Sequence, residues 1–296
     1  MRILVINGDC LTTNSSANLC HLSYIKGMLE AGHEVDLISA NEKGKKVDAS
    51  MVIPDGANSY TYNGVSLYER LSHKINGSSN DFKGSNVKKN GDDKKRFISH
   101  MKNSIKSAIR SCYGVYGIYK PFIKNALKFK SLELYDYVIS IATPPSSHYI
   151  AYKLIKKGNI KTQKWIQIWE DPWYGDIYGY CNTFKYFKEE RKLLTYAEQI
   201  CYVSPLTLEN QRKLFPESAE KMYWQPLPSY YKNDKKNLSS SVAKYGYFGD
   251  YNPTGRNLKP FYDAAVQSDI EVNICGTPHT LFESTDKIHI YPRLTL

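Results

Sequence analysis

The chain has 296 residues, 42% of them hydrophobic, enough for a sizeable core and long enough for two domains rather than one. A formal charge of +11 points to an anionic contact, whether phosphorylated ligand, acidic membrane surface or nucleic acid. No stretch approaches the roughly 20 apolar residues of a membrane span. The six cysteines have no redox or metal-ligand spacing, which fits a reducing, cytoplasmic setting and leaves no metal site expected.

In chain order, residues 3–6 are a continuous apolar run closed by Asn7-Gly8-Asp9, the pattern of a strand buried on both faces and not of a signal peptide. A polar loop follows, with Asn14, Ser15 and Ser16 at its centre. Leu19, Leu22, Ile25, Met28 and Leu29 then recur at helical spacing, and Gly32 ends the helix. Residues 34–39 form a second strand. Strand, helix, strand requires a crossover, so an α/β parallel sheet is predicted.

Residues 41–93 are rich in Gly, Asn, Ser, Asp and Lys and read as a solvated, flexible insertion. A basic helix over residues 94–110 follows, with Phe97, Ile98, Met101 and Ile105 on one face and lysines and arginines on the rest. It is either a solvated face packed on the fold or an interfacial helix at an anionic membrane. Basic and aromatic residues continue to residue 130.

The strand and helix alternation then returns, with strands predicted at 137–142, 164–169 and 199–203. Helices are predicted at 149–155, 184–195 and 205–214. Residues 226–241 carry Pro, Ser and Lys and read as a linker. The first domain is thus 1–225 and the second 242–296. The second opens with a strand at 245–248, a loop, a helix at 258–265 and strands at 270–275 and 287–291.

In open parallel sheets ligands sit beyond the carboxyl ends of the strands. That rule selects the first loop, residues 143–147, residues 170–173, Ser204, and residues 249–257 of the second domain. Gly249 ends a strand with no side chain to block an approaching ligand, and the turn after it feeds a helix N-terminus, where free N–H groups favour an anion such as a diphosphate. Arg256 and Lys259 stand close enough to neutralise it; the alternative is a surface turn with two solvated cations. Asp171, at a strand end, can orient a hydroxyl or serve as a general base, or can act as a structural cap. Trp173 can stack on a sugar ring or pack inside. Ser204 is either a cleft hydroxyl or, the favoured reading, the N-cap before Pro205.

Several classes are excluded. The first loop, GDCLTTNSSAN, has no dinucleotide fingerprint, the second-domain loop is no Walker motif, and no nucleophile elbow appears. No nucleic-acid-binding motif accompanies the charge.

The ordered set YDYVISIATPPSSHYIAYKLIKK, KWIQIWEDPW, AEQICYVSPLTLENQ and YGYFGDYNPTGRN resembles family-4-like glycosyltransferases of the GT-B type. The resemblance covers most of the chain outside residues 41–130. It implies two Rossmann-like domains with parallel sheets facing a cleft, and a nucleotide-sugar donor held by the second. A polysaccharide or lipid-linked glycan acceptor would lie on the first, at the inner face of a cell membrane. It also implies no cofactor, since the nucleotide-sugar is a co-substrate and cations and helix dipoles offset the leaving charge. Gly249, Arg256 and Lys259 would face the donor diphosphate, Asp171 the reaction centre, and Asn14, Ser15, Ser16, Trp173 and Ser204 the acceptor cleft. Two positions depart from the pattern: Asp250 stands where many relatives carry Arg, and Asn14-Ser15-Ser16-Ala17 replaces a glycine pair. The family's acidic donor motif would fall after residue 296, so the second domain reads as incomplete. A non-catalytic remnant of the fold and a sugar-nucleotide epimerase are the alternatives.

Overall fold

The computed structural model describes residues 1–65, 114–175, 183–230, 245–251, 256–268, 270–277 and 281–292. The chain divides into two compact units, one running to Lys232 and one formed mainly by the residues from Asn233 onward. The predicted basic helix over residues 94–110 lies outside the described residues.

The first unit is built on β1 (Arg2–Asn7), β2 (Glu34–Ala40), β3 (Ala57–Tyr62), β4 (Leu134–Ala142), β5 (Lys161–Trp169), β6 (Gln199–Tyr202) and β7 (Met222–Trp224). These form one sheet in the order β3-β2-β1-β4-β5-β6-β7, and every pair is parallel. The helices are α1 (Ser16–Glu30), α2 (Lys120–Ala126), α3 (Ser146–Lys156), α4 (Phe184–Tyr196) and α5 (Pro205–Leu214). A 3-10 turn over Gly114–Tyr119 leads into α2.

Period-two alternation along the central strands sends side chains to two cores. On one face Ile3 and Val5 meet Val35, Leu37, Ile139 and Ile141 beneath Leu22 and Ile25 of α1. On the other, Leu4, Ile6, Ile38 and Val138 pack under Phe122 of α2, Ile150 and Leu154 of α3 and Leu193 of α4. Helices therefore cover both faces, as the strand and helix alternation implies.

Two strands correct the sequence reading. β3 lies inside the segment taken as a solvated insertion, and β7 lies just before the predicted linker. Each closes one edge of the sheet. β3 is ANSYTY, with four of its six residues exposed, so it carries no apolar signal; pairing with β2 alone makes it a strand.

A single buried carboxylate ties four adjacent strands together. Asp36 of β2 is only 2% exposed. It accepts hydrogen bonds from Tyr135 of β4 at 2.6 Å, Asn58 of β3 at 3.1 Å and Arg2 of β1 at 3.4 Å. These donors replace the water that the charge gives up on burial.

The second unit has a parallel sheet in the order β10-β9-β8, from β8 (Tyr245–Phe248), β9 (Val272–Cys275) and β10 (Ile288–Tyr291), with helix α6 (Lys259–Ser268). Its core is Tyr251, Leu258, Ala265, Val272, Ile274 and Ile288. Both units are thus α/β with parallel sheets.

Asp36→Ala strands the buried Tyr135 hydroxyl and removes three donors' acceptor at once. We expect a loss of about 3 kcal/mol in the first unit, read as a lower urea midpoint with an unchanged slope. An unchanged midpoint would show that the clamp contributes nothing net.

Candidate functional site

The strand order reverses direction beside β1: the chain runs out to β2 and β3 on one side, then returns to place β4 on the other. The crevice at the carboxyl ends of β1 and β4 is where such sheets bind ligands. Gly8 is required there by close approach. A Cβ on it would lie 2.6 Å from Pro144 Cγ and 2.7 Å from Ser146 Oγ, so the loops after β1 and β4 touch.

The polar residues of the first loop build that loop. Asn14 donates to Asp48 at 2.7 Å. Ser15 caps α1, accepting from the Asn18 N–H at 3.1 Å, as its residue type favours. Asn18 in turn donates to the Cys10 and Thr13 carbonyls at 2.9 Å. Ser16 opens α1 and is exposed. The structure thus places Asn14 and Ser15 as loop-forming residues and leaves Ser16 the accessible one of the three.

Beneath the crevice lies a polar cluster that sequence reasoning missed. Asn7 donates from Nδ2 to the Asp9 carbonyl at 2.8 Å, which turns its Oδ1 toward His21 Nδ1 at 2.6 Å. That orientation assigns the His21 proton to Nδ1. His21 Nε2 of α1 lies 3.3 Å from Glu170 Oε1, just after β5, a contact that becomes an ion pair only when the ring carries a second proton. His148 of α3 pairs through Nδ1 with Ser140 Oγ at 2.7 Å, which also accepts from Trp165 Nε1 at 2.8 Å. Burial, then the neighbouring His21, holds His148 well below the usual imidazole range, so it is neutral. The available signal was the helical face shared by Asn18, His21, Leu22 and Ile25, which marks His21 as inward-facing but names no partner.

The loop after β5 carries two predicted site residues with different fates. Asp171 is exposed at the strand end. Trp173 is 7% exposed, set 5.3 Å from both Tyr116 and Tyr186, so most of its ring is packed among aromatic neighbours. These three rings, with Tyr119, Pro145 and Ser146, line a cavity of about 370 Å³. A second cavity of about 380 Å³ lies at the ends of β1, β2 and β3, lined by Thr12, Ser39, Asn41 and Lys43 among others. A small pocket lined by Gly8, Asp9 and Tyr119 lies at the switch point.

The loop is held from below by Glu190 of α4, which is fully buried. Its Oε2 accepts from the Tyr174 N–H at 2.5 Å. Burial pushes this carboxyl up to about 8, against the opposing pull of the Tyr174 and Trp173 N–H groups. Ser204 accepts from the Thr207 N–H at 3.5 Å as the N-cap of α5, which is the reading favoured from its position before Pro205.

In the second unit the loops after β8 and β9 run against each other. Gly249 N–H donates to the Cys275 carbonyl at 2.9 Å and Tyr251 N–H to that of Thr277 at 3.0 Å. Gly249 has φ +149°, and a Cβ on Gly276 would fall 1.9 Å from the Gly249 carbonyl oxygen. Arg256 is exposed ahead of α6. Lys259 is committed elsewhere: its Nζ pairs with both Asp263 oxygens at 2.8 and 2.7 Å, and its N–H donates to Asn257 Oδ1 at 3.1 Å. Pro260 has no N–H to offer. The start of α6 therefore presents fewer amides to an anion than an unoccupied helix N-terminus would. Among the described residues no group of three or more His, Cys, Asp and Glu is placed to hold a metal ion, and no helix is long and apolar enough to cross a membrane.

No protein-family model matches the chain, and no curated protein matches it. Among solved structures it is similar to Arabidopsis thaliana UGT89C1 complexed with UDP-L-rhamnose, at 12% identity and TM-score 0.47, covering 99% of this chain and 69% of that one. It is also similar to the glycotransferase of kitacinnamycin, at 12% identity and TM-score 0.47, covering 97% and 70%. A glycosyltransferase from Rickettsia africae gives 11% identity and TM-score 0.46, covering 99% and 68%.

Glu190 makes stability pH-dependent with a definite sign. Its pKa is raised from 4.5 to about 8 on folding, so the folded state holds a proton that the unfolded chain releases. Its contribution is full below the ordinary value and is lost as pH rises through the folded one, at about 1.4 kcal/mol per pH unit between the two. Glu190→Gln keeps an acceptor for Tyr174 and removes the titration. We expect the variant to gain on the parent by several kcal/mol from about pH 5 to about pH 8, measured by denaturant unfolding. Parallel profiles for the two proteins would contradict this account.

Proposed function

We propose that the chain is a GT-B-type glycosyltransferase that transfers a sugar from a nucleotide-sugar to a polysaccharide or lipid-linked glycan acceptor. The observation that carries the reading is the carboxyl edge of the seven-stranded sheet. There an aromatic cavity and a switch-point crevice lie side by side, next to an exposed carboxylate, Asp171. Aromatic rings with polar tips suit the apolar face and hydroxyl rim of a sugar. The ordered motifs from residue 135 to residue 257 support the same reading.

In this reading the first unit holds the acceptor and Asp171 orients or deprotonates the attacking hydroxyl. The second unit holds the donor diphosphate at Gly249, where the missing side chain permits close approach, with Arg256 as the main cation. Lys259 contributes less, because Asp263 already neutralises it. The basic residues 94–110 would bring the enzyme to anionic lipid beside a membrane-embedded acceptor.

A non-catalytic binding module of the same fold is the second reading. The observation favouring it is the start of α6, where Asn257, Pro260 and Asp263 use or remove groups that a diphosphate would need.

Calorimetric titration separates the two. A nucleoside diphosphate binds the parent, and Arg256→Ala weakens it about 10- to 150-fold, the equivalent of one charge-assisted contact. Lys259→Ala changes it less than about threefold, since an exposed i,i+4 pair contributes little. The unphosphorylated nucleoside binds parent and Arg256→Ala alike. Equal weakening of both ligands would make Arg256 a fold residue, and no nucleoside diphosphate binding at all would favour the non-catalytic reading.

A further inference from the structure

We infer that the amino edge of the seven-stranded sheet, opposite the crevice, is the surface on which a second copy of this chain docks. Docking there needs no transferase activity and leaves the carboxyl edge of the sheet uncovered. Strand order lays out the surface, reading β3-β2-β1-β4-β5. Asp55 precedes β3 and Glu34 opens β2. Met1 precedes β1, and Leu132, Glu133 and Leu134 lead into β4. Lys161 opens β5, and Lys157 lies in the turn before it. Acids are thus on one side, apolar side chains in the middle and lysines on the other. Asp55, Glu34, Lys157 and Lys161 are all exposed. Among the described residues no ion pair engages any of the four.

The middle is a ridge held rigidly outward. Leu132 is 98% exposed, Met1 58% and Leu134 54%. Single exposed apolar side chains are ordinary, whereas a group of them on adjacent strands marks a contact surface. The backbone around Leu132 is fixed on both sides. Ser131 N–H donates to the Asn159 carbonyl at 3.0 Å, Asn159 Nδ2 to the Leu127 carbonyl at 3.1 Å, and Glu133 N–H to Ser131 Oγ at 3.2 Å. Glu133 pairs with Arg2 at 3.1 Å, so the acid beside the leucines is neutralised. The ridge is ordered on folding, which lowers the entropy lost on docking.

The layout selects its occupant. An anionic bilayer or a polyanion would gain the lysines but meet Glu34 and Asp55 on the same edge. A second copy matches both halves. Glu34 pairs in register with Arg2 of β1, and Lys161 with Leu134 of β4. By the usual strand spacing, Glu34 and Lys161 stand about 7 Å to either side of a line between β1 and β4. A two-fold axis perpendicular to the sheet at that line lays Glu34 of each copy over Lys161 of the other. It also sets the leucine ridge against its own mate and Met1, an isologous contact.

Sedimentation velocity and light scattering of the full chain test this across micromolar concentrations. We expect a reversible dimer with a micromolar Kd, as a modest interface with a charged rim gives. Leu132→Asp should weaken it about tenfold or more, because each substitution enters a two-fold contact twice. With Leu132 almost fully exposed, the variant should keep the parent's urea midpoint. Lys161→Glu and Glu34→Lys should each weaken the dimer about tenfold, since two attractive rim pairs become repulsive. The doubly reversed variant should return to within about threefold of the parent. A monomer at every concentration, a dimer indifferent to Leu132→Asp, or a double reversal that restores nothing would each overturn the inference. So would cosedimentation of monomer with phosphatidylserine vesicles that Leu132→Asp abolishes, which would assign the ridge to lipid.

Discussion

Strand β1 is hydrogen-bonded in parallel register on both sides, to β2 and to β4, and the other features of the first unit follow from that constraint. A parallel pair cannot be closed by a tight turn, so each pairing demands a crossover. The crossovers first run outward from β1 through β2 to β3, then return to lay β4 on the other side of β1, and the reversal opens a crevice at the carboxyl end of β1. The same burial on two faces requires a nearly unbroken apolar strand, which residues 3–6 supply. Asp36 then secures the arrangement by drawing donors from the strands on either side, including β4, which is two places away in the sheet.

The carboxyl edge is rich in buried polar groups, whereas the strands beneath it are apolar. His21 connects α1 to Glu170 after β5, His148 connects α3 to Ser140 and Trp165, and Glu190 connects α4 to the loop holding Trp173. Each links a helix to a strand or strand-end loop at the side of the sheet where ligands bind. Each of these groups is only partly satisfied: His21 Nε2, His148 Nε2, Glu170 Oε1 and Glu190 Oε1 are buried without a hydrogen-bond partner among the described residues, the kind of half-met polar group that costs stability. They are placed where a binding site needs its loops held in one position.

The second unit reaches a comparable end by backbone means. Gly249 and Gly276 let two strand-end loops approach within contact distance, and their amides are used on each other's carbonyls. Side-chain charge is managed locally, with Lys259 satisfied one helical turn away by Asp263. Arg256 is exposed ahead of the helix.

Much of this was determined by the sequence alone. The five inner strands of the seven-stranded sheet and most of the helices beside them follow from apolar runs and helical spacing, because burial on two faces and on one stripe leaves different periods in the chain. The cap at Ser204 is written in local chemistry, whereas Ser15 reads as a cleft residue until the structure shows it capping α1, and Lys259 reads as a diphosphate contact until its pairing with Asp263 is seen. Edge strands β3 and β7 are not legible. Their stability comes from one neighbour's hydrogen bonds, which leave no apolar pattern. Nor can local pattern place Trp173 in a packed aromatic wall, join His21 to Glu170, or seat Glu190 under a loop sixteen residues earlier. Those juxtapositions are decided by strand order and helix packing. A residue's period along the chain reports which face is buried, and only the assembled sheet decides what that face meets.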